Sequence, residues 1–398
     1  MTDAAVFIDN HSTTRVDPRV IEVMLPFFSE HYANAGSISH EMGMTAREAV
    51  ENTRLAIANS INANEREIIF TSGATESNNL AIRGVAEHRR RKGNHIVSVT
   101  TEHKAVIDPV ARLERRDFSV TWLTPETHDS DNAGRIDVQN VADALTDDTF
   151  LVSIMMANNE IGVIQPIAEI GELCKERGVL FLTDATQAVG KIPVDVEQLN
   201  VDLMSFSAHK IYGPKGVGAL YVGRRSPQVR IAALTDGGGQ ERGMRSGTLN
   251  VSGIAGFGKA LELCLSEMDS ESVRLQALRE TLFAGLKERI ENVQLNGPRM
   301  DDPELRLTNN LNVRFEDVDG EALMMNMKGL AVSSGSACTS ASPEPSHVLQ
   351  AIGLTEDQTR SSLRFGLGRF NTQADIEFAI ETVAETVAKL RAFGSTKY

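Results

Sequence analysis

Cysteine is scarce in this chain: three in 398 residues, at positions 174, 264 and 338, with no regular spacing. Such usage builds neither a disulfide framework nor a zinc site, and it suits a reducing compartment. Long apolar runs are missing too. FLVSIMMA at 150–157 is among the longest, far short of the roughly 20 residues that span a bilayer. The opening residues, MTDAAVFIDN, hold no basic stretch followed by an apolar core, so no secretory leader is expected. Positive charge is in deficit, with 40 Lys and Arg against 54 Asp and Glu and a formal net charge of −14. That balance argues against nonspecific binding to nucleic acid or an anionic membrane. No G-x-x-x-x-G-K-[ST] loop occurs, and no G-x-G-x-x-G opens a helix after an early strand, so two common phosphate sites are excluded. Internal repeats and low-complexity tracts are absent. From these exclusions a cytoplasmic globular protein is expected.

What is present is an alternation of strand and helix patterns from about residue 65 to 225. EIIFT (67–71), HIVSVT (95–100), FLVSIMMA (150–157), VLFLT (179–183), VDLMSFS (201–207) and GALYVG (218–223) read as strands. Several are continuous apolar runs, as strands covered on both faces require. Helices are expected after the first strand and near 104–116. The pattern predicts an α/β architecture on a mostly parallel sheet, with a large domain over 16–255. Beyond it lie a long helical stretch from Ile254 to Ile290, a strand in LRLTNNLNVRF and a last helix around 374–392. Residues 1–15 and 256–398 are expected to form a smaller α+β domain.

In open α/β sheets, ligands bind beyond the carboxyl ends of the strands. Three strands end on polar residues. TSGATESNN follows the first, and its small residues and Thr75 can cap a helix or, with backbone N–H groups, hold a phosphate. Asp184 follows VLFLT directly, with Gln187 three residues on, as a helix cap or a functional acid. Ser207, His209 and Lys210 follow the third, ahead of a glycine-rich turn. A phosphate cradle, an acid and a lysine at neighbouring strand ends are the parts that pyridoxal 5'-phosphate needs. The lysine condenses with the aldehyde, and the acid keeps the ring nitrogen protonated.

Cysteines 174 and 264 sit at helical spacing with apolar neighbours, as buried face residues do. Cys338 does not. It stands in SSGSACTSAS (333–342), among serine, glycine and alanine. Together TSGATESNN, TEHKAVID, NNEIGVIQP, DATQAVGKIPVD, DLMSFSAHKIYGPKGVGALYV, ERGMRSGTLN and SSGSACTSASPEPSHVL resemble the NifS/IscS-type cysteine desulfurases. These belong to the fold-type I pyridoxal-phosphate enzymes, and the motifs run in family order from about Asp9 to Arg369.

The resemblance implies that Lys210 holds the cofactor and Asp184 pairs with its ring nitrogen. It implies that Gln187 and Asn159 meet the ring hydroxyl and that His103 stacks on the ring and takes part in catalysis. Ala74, Thr75, Ser207 and His209 would bind the phosphate, and Thr248 would reach the phosphate of the partner in a homodimer. Arg364, assisted by Asn34, would clamp the carboxylate of L-cysteine. Cys338 would take the sulfur as a persulfide, release L-alanine, and pass the sulfur to an acceptor protein, an iron–sulfur scaffold or another carrier. The chain departs from the family's G-N-P-S-S pattern at ANAGSIS (33–39) and ends sooner after its last helix than IscS-type members do. The rival readings are a selenocysteine lyase, a related aminotransferase with no use for Cys338, and a non-catalytic scaffold that keeps the fold.

Overall fold

A computed structural model describes residues 5–89, 93–224, 229–334 and 345–394. Seven strands form the main sheet: β1 (Ile68–Thr71), β2 (His95–Val99), β3 (Ser119–Leu123), β4 (Thr149–Ser153), β5 (Leu180–Asp184), β6 (Leu203–Ser207) and β7 (Gly218–Val222). Their spatial order is β1-β7-β6-β5-β4-β2-β3. Strands β2 to β6 pair in parallel, and β7 runs antiparallel to both β1 and β6. Two reversals leave β1 parallel to β6, so the carboxyl ends of β1, β5 and β6 share one edge. The apolar runs have their cause here, since every residue of β1, β2 and β4 to β7 is buried.

Two details differ from the sequence reading. Strand β3 went unread because it lies at the sheet edge and is only partly buried. Its alternation of polar and apolar residues gives no continuous run. FLVSIMMA overshoots its strand, which stops at Ser153. Residues 154–157 stay buried beyond the strand, and Met155 and Ala157 form part of a cavity wall.

Six longer helices frame the sheets: α1 (Glu41–Ser60), α2 (Ala74–Arg89), α3 (Lys104–Glu114), α4 (Ile167–Arg177), α5 (Val251–Arg289) and α6 (Gln373–Gly394). Helix α5 belongs to two cores. Ile254, Phe257 and Leu261 pack in the core of the main sheet, and Leu275, Leu282 and Leu286 in a second core with Phe315, Phe365 and Ile376. One continuous helix thus crosses the 255/256 boundary drawn from the sequence. The second core covers a three-stranded antiparallel sheet of β8 (Val293–Leu295), β9 (Asn310–Phe315) and β10 (Ser362–Gly366), in the order β10-β9-β8. The N-terminal segment joins it. Val6 and Phe7 pair with Leu330 and Ala331, and Asn10 donates its N–H to Gly366 O. The segment then crosses back to the main sheet, where Thr14 donates its N–H to His209 O at 2.9 Å. Among the described residues, no helix is long and apolar enough to cross a membrane.

One buried ion pair ties the loop before α5 to the sheet edge. Arg54 on α1 reaches both carboxylate oxygens of Glu241 at 2.8 Å, and Glu241 also accepts the Phe70 N–H of β1 at 2.7 Å. The two side chains are 4% and 2% exposed. Removing Glu241 leaves the buried Arg54 charge with half-exposed Glu51 at 3.1 Å and the Ile68 carbonyl, so Glu241→Ala should cost up to about 3–5 kcal/mol of unfolding free energy. Arg54→Met combined with Glu241→Leu should recover part of that loss. Urea unfolding checks both, and an undiminished midpoint for Glu241→Ala would show that the pair contributes nothing.

Candidate active site

A cavity of about 560 Å³ opens at the carboxyl ends of β1, β5 and β6, and Ala74, Thr75, His103, Asn159, Asp184, Gln187, Ser207, His209 and Lys210 all line it. Three strand ends distant in sequence therefore meet around one space.

The turn between β1 and α2 forms one end. Gly73 sits at φ +149°, open to glycine and strained for other residues. A side chain at Gly218 on β7 would come within 2.6 Å of Gly73 Cα, so the turn lies tight against the sheet. Helix α2 begins at Ala74, so Thr75 lies inside the first turn and is not its cap. The first N–H groups of a helix have no partner within it, and with the helix dipole they suit an anion. Ser207 ends β6 beside this turn, its Oγ 3.6 Å from where a Gly73 Cβ would stand. The imidazole of His209 meets Thr13 Oγ1 at 3.1 Å, and burial and Lys210 push its pKa down to about 4. A glycine turn, a helix start and a hydroxyl facing one another fit the phosphate of pyridoxal 5'-phosphate.

The other end holds the acid. Asp184 closes β5, buried at 5% exposure. Its Oδ1 accepts the Thr186 N–H at 2.9 Å, and its Oδ2 accepts Asn78 Nδ2 at 2.7 Å. Gln187 donates from Nε2 to His11 O at 3.0 Å, while its Oε1 accepts Lys191 Nζ at 2.6 Å. Lys210 ends the short turn after β6 and donates from Nζ to His11 O at 2.5 Å and Ser12 O at 2.6 Å. Burial and the neighbouring Lys210 lower the Lys191 amine to about 7.

His103 caps α3, its Nδ1 accepting the Ala105 N–H at 3.0 Å. That contact leaves the ring's N–H on Nε2. Burial lowers its pKa further, against the opposing pull of Asp184, so a neutral imidazole faces the cavity at neutral pH.

Arg364, Asn34 and Thr248 are not among the residues that line this cavity. Arg364 on β10 is 1% exposed, paired with Asp9 at 2.7 Å and donating to Asn159 O at 3.1 Å. Among the described residues its Nε has no hydrogen-bond partner. Asn34 accepts the Gly36 N–H and borders a separate cavity beside Arg47 and Gln240. Thr248 is exposed on the loop before α5. In that loop Arg245 pairs at 2.8 Å with Glu76 in the first turn of α2. Cys338 lies outside the described residues.

Four residues near the site carried no assignment from sequence: His11, Asn78, Glu102 and Lys191. Asn78 and Glu102 stand inside quoted motifs, but a polar residue on a helix or before one reads as a cap or a surface group. Their signal is burial, which needs the fold. Glu102 is fully buried, accepting the Met155 N–H at 2.6 Å on Oε1 and a weaker bond from the His103 backbone, and among the described residues its Oε2 makes no full hydrogen bond. Burial, and then the charge of Asp184, push its carboxyl well above the usual range.

A family profile described as "Aminotransferase class-V" matches residues 6–378. A curated relative named "Cysteine desulfurase IscS", from Anaeromyxobacter dehalogenans, is 56% identical over 386 residues, covering 97% of this chain and 93% of that protein. Among solved structures, a NifS-like protein superposes with a TM-score of 0.87 at 35% identity, over 97% of this chain and 100% of the other. A structure titled "SspA in complex with cysteine" does so with a TM-score of 0.79 at 36% identity, over 92% and 99%.

Proposed function

The chain belongs to the class-V aminotransferase family and is a pyridoxal-phosphate-dependent cysteine desulfurase, and on that premise we propose the part each of its residues takes. The meeting of Lys210, Asp184 and the Gly73 turn around one cavity carries the proposal. The backbone of residues 73–75, with Ser207 and His209, holds the phosphate. Asp184 holds the proton of the ring nitrogen, Gln187 and Asn159 meet the ring hydroxyl, and His103 covers a ring face. When bound, the cofactor supplies an electron-accepting ring that stabilises charge at the α-carbon of the amino acid.

Lys210 Nζ anchors the cofactor and takes the α-proton of L-cysteine. Arg364 meets the substrate carboxylate, and its Nε, without a hydrogen-bond partner among the described residues, supports that role. Asn34 assists it. The thiolate of Cys338 attacks the substrate sulfur: a sulfur–sulfur bond forms, the carbon–sulfur bond breaks, and L-alanine leaves. The persulfide then passes to an acceptor protein, an iron–sulfur scaffold or another sulfur carrier, in a cytoplasmic setting that keeps the thiol reduced.

The working unit is a homodimer in which Thr248 completes the partner's phosphate site. Exposed Leu25, Phe28, Tyr32, Ile38 and Met44, each 50% exposed or more, support a second copy over that segment. Mixing tests this. In a dimer of one Lys210→Ala chain and one Thr248→Ala chain, one site carries both lesions and the other carries none. Subunit exchange between the two variants should therefore restore desulfurase activity beyond that of either alone. A mixture no more active than its components would contradict the shared site.

A further inference from the structure

Helix α2 starts at the phosphate turn and, one turn later, places Asn78 beneath it against the sheet, fully buried. The amide of Asn78 is held from both sides. Its Oδ1 accepts Ser205 Oγ at 2.6 Å, and its Nδ2 donates to Asp184 Oδ2 at 2.7 Å. Ser205 on β6 stands in register with Asp184 on β5. The acceptor-only carboxylate of Asp184 fixes which end of the amide faces it, since a flipped amide would set two oxygens against each other, and the Ser205 hydroxyl then donates to the Oδ1 that remains. The Thr186 N–H occupies the other carboxylate oxygen, so both neighbours are donors and suit a charged carboxylate.

A second buried acid makes this arrangement consequential. Glu102 lies close enough to Asp184 for its carboxyl to respond to that charge. The Met155 N–H bonds one of its carboxylate oxygens at 2.6 Å and the His103 backbone adds a weaker bond, while among the described residues its Oε2 makes no full hydrogen bond. Two neighbouring buried acids settle with the proton on the one whose charge is less well met by donors. Here that is Glu102.

We propose that Asn78, held in place by Ser205, is a positioning residue for Asp184: it donates to that carboxylate and fixes its aim at the cofactor ring. The inference rests on the reading that Asp184 pairs with the ring nitrogen. It also joins the two ends of the cofactor site mechanically, because the helix that presents the phosphate turn carries the donor that sets the acid.

The test uses the full chain and three readouts: the dissociation constant for pyridoxal phosphate, the pH midpoint of the bound cofactor's absorbance, and the unfolding midpoint without cofactor. A hydrogen bond to a charged group is worth about ten- to a hundredfold in an equilibrium constant. Asn78→Ala should therefore weaken cofactor binding about tenfold or more and shift the absorbance midpoint. Ser205→Ala should move both in the same direction by less, and it keeps the test open if Asn78→Ala folds poorly. Asn78→Asp should do most harm, by setting a second carboxylate against Asp184. Wild-type affinity and absorbance in Asn78→Ala, beside a crippled Asp184→Ala, would overturn the inference alone. So would a lowered unfolding midpoint with an unchanged absorbance midpoint, which marks a merely structural role. If Asp184→Ala itself binds and absorbs as wild type, the ring-nitrogen reading falls and the inference with it.

Discussion

Lys210→Ala should bind pyridoxal phosphate without covalent attachment, lose it on gel filtration, and form no measurable L-alanine from L-cysteine. The reason is that, in the proposed roles, one amine serves twice. In the structure Lys210 Nζ is held by His11 O and Ser12 O at the cavity wall, where it can reach both the cofactor and the substrate. Loss of a general base alone costs about 10²–10⁴-fold, and loss of the anchor compounds it. The lesion should be local. The phosphate turn and the start of α2 stand on another segment than Lys210, so cofactor should still enter the site and absorb as a free aldehyde. Absorbance spectra and an alanine assay read both effects. Alanine formation at the wild-type rate would remove Lys210 from the chemistry.

Cys338→Ser should keep a normal cofactor spectrum and lose sulfur transfer. A serine hydroxyl has a far higher pKa than a thiol near 8.5, supplies little nucleophile at neutral pH, and cannot store a persulfide. The other two cysteines cannot stand in. Cys174 and Cys264 are 1% and 2% exposed. Burial pushes the Cys174 thiol well up, and that of Cys264 to about 12, so neither offers thiolate at neutral pH. Cys174→Ser and Cys264→Ser should cost about 1–2 kcal/mol of stability, through a buried hydroxyl with poor partners, and leave turnover in place. Rate measurements with a reductant that strips the persulfide separate the three variants.

Much of this site was legible because its strands are buried on both faces. An apolar run such as VLFLT announces a central strand, and the first polar residue after it, Asp184, then stands at the ligand-binding edge. Lys210 was found in the same way behind VDLMSFS. The logic fails where a strand is half exposed, as with SVTWL at the sheet edge, or where apolar residues wall a cavity, as with Met155 and Ala157. It also fails for residues whose role lies in a buried contact. Asn78 reads as one more polar helix residue until Ser205 and Asp184 close around it, and Glu102 reads as surface charge until the fold removes its water. Asn34 and Thr248 show another limit, since neither lines the cavity within the single chain.

The most direct measurement tracks the sulfur itself. The cofactor-loaded enzyme, treated with one equivalent of ³⁵S-labelled L-cysteine and no acceptor, is digested without reductant, and its peptides and released alanine are counted. One alanine should appear per sulfur retained, with the label on the peptide that contains Cys338 as a mass increase of one sulfur atom. Label on Cys174 or Cys264, or alanine release with no sulfur retained on Cys338, would contradict the account.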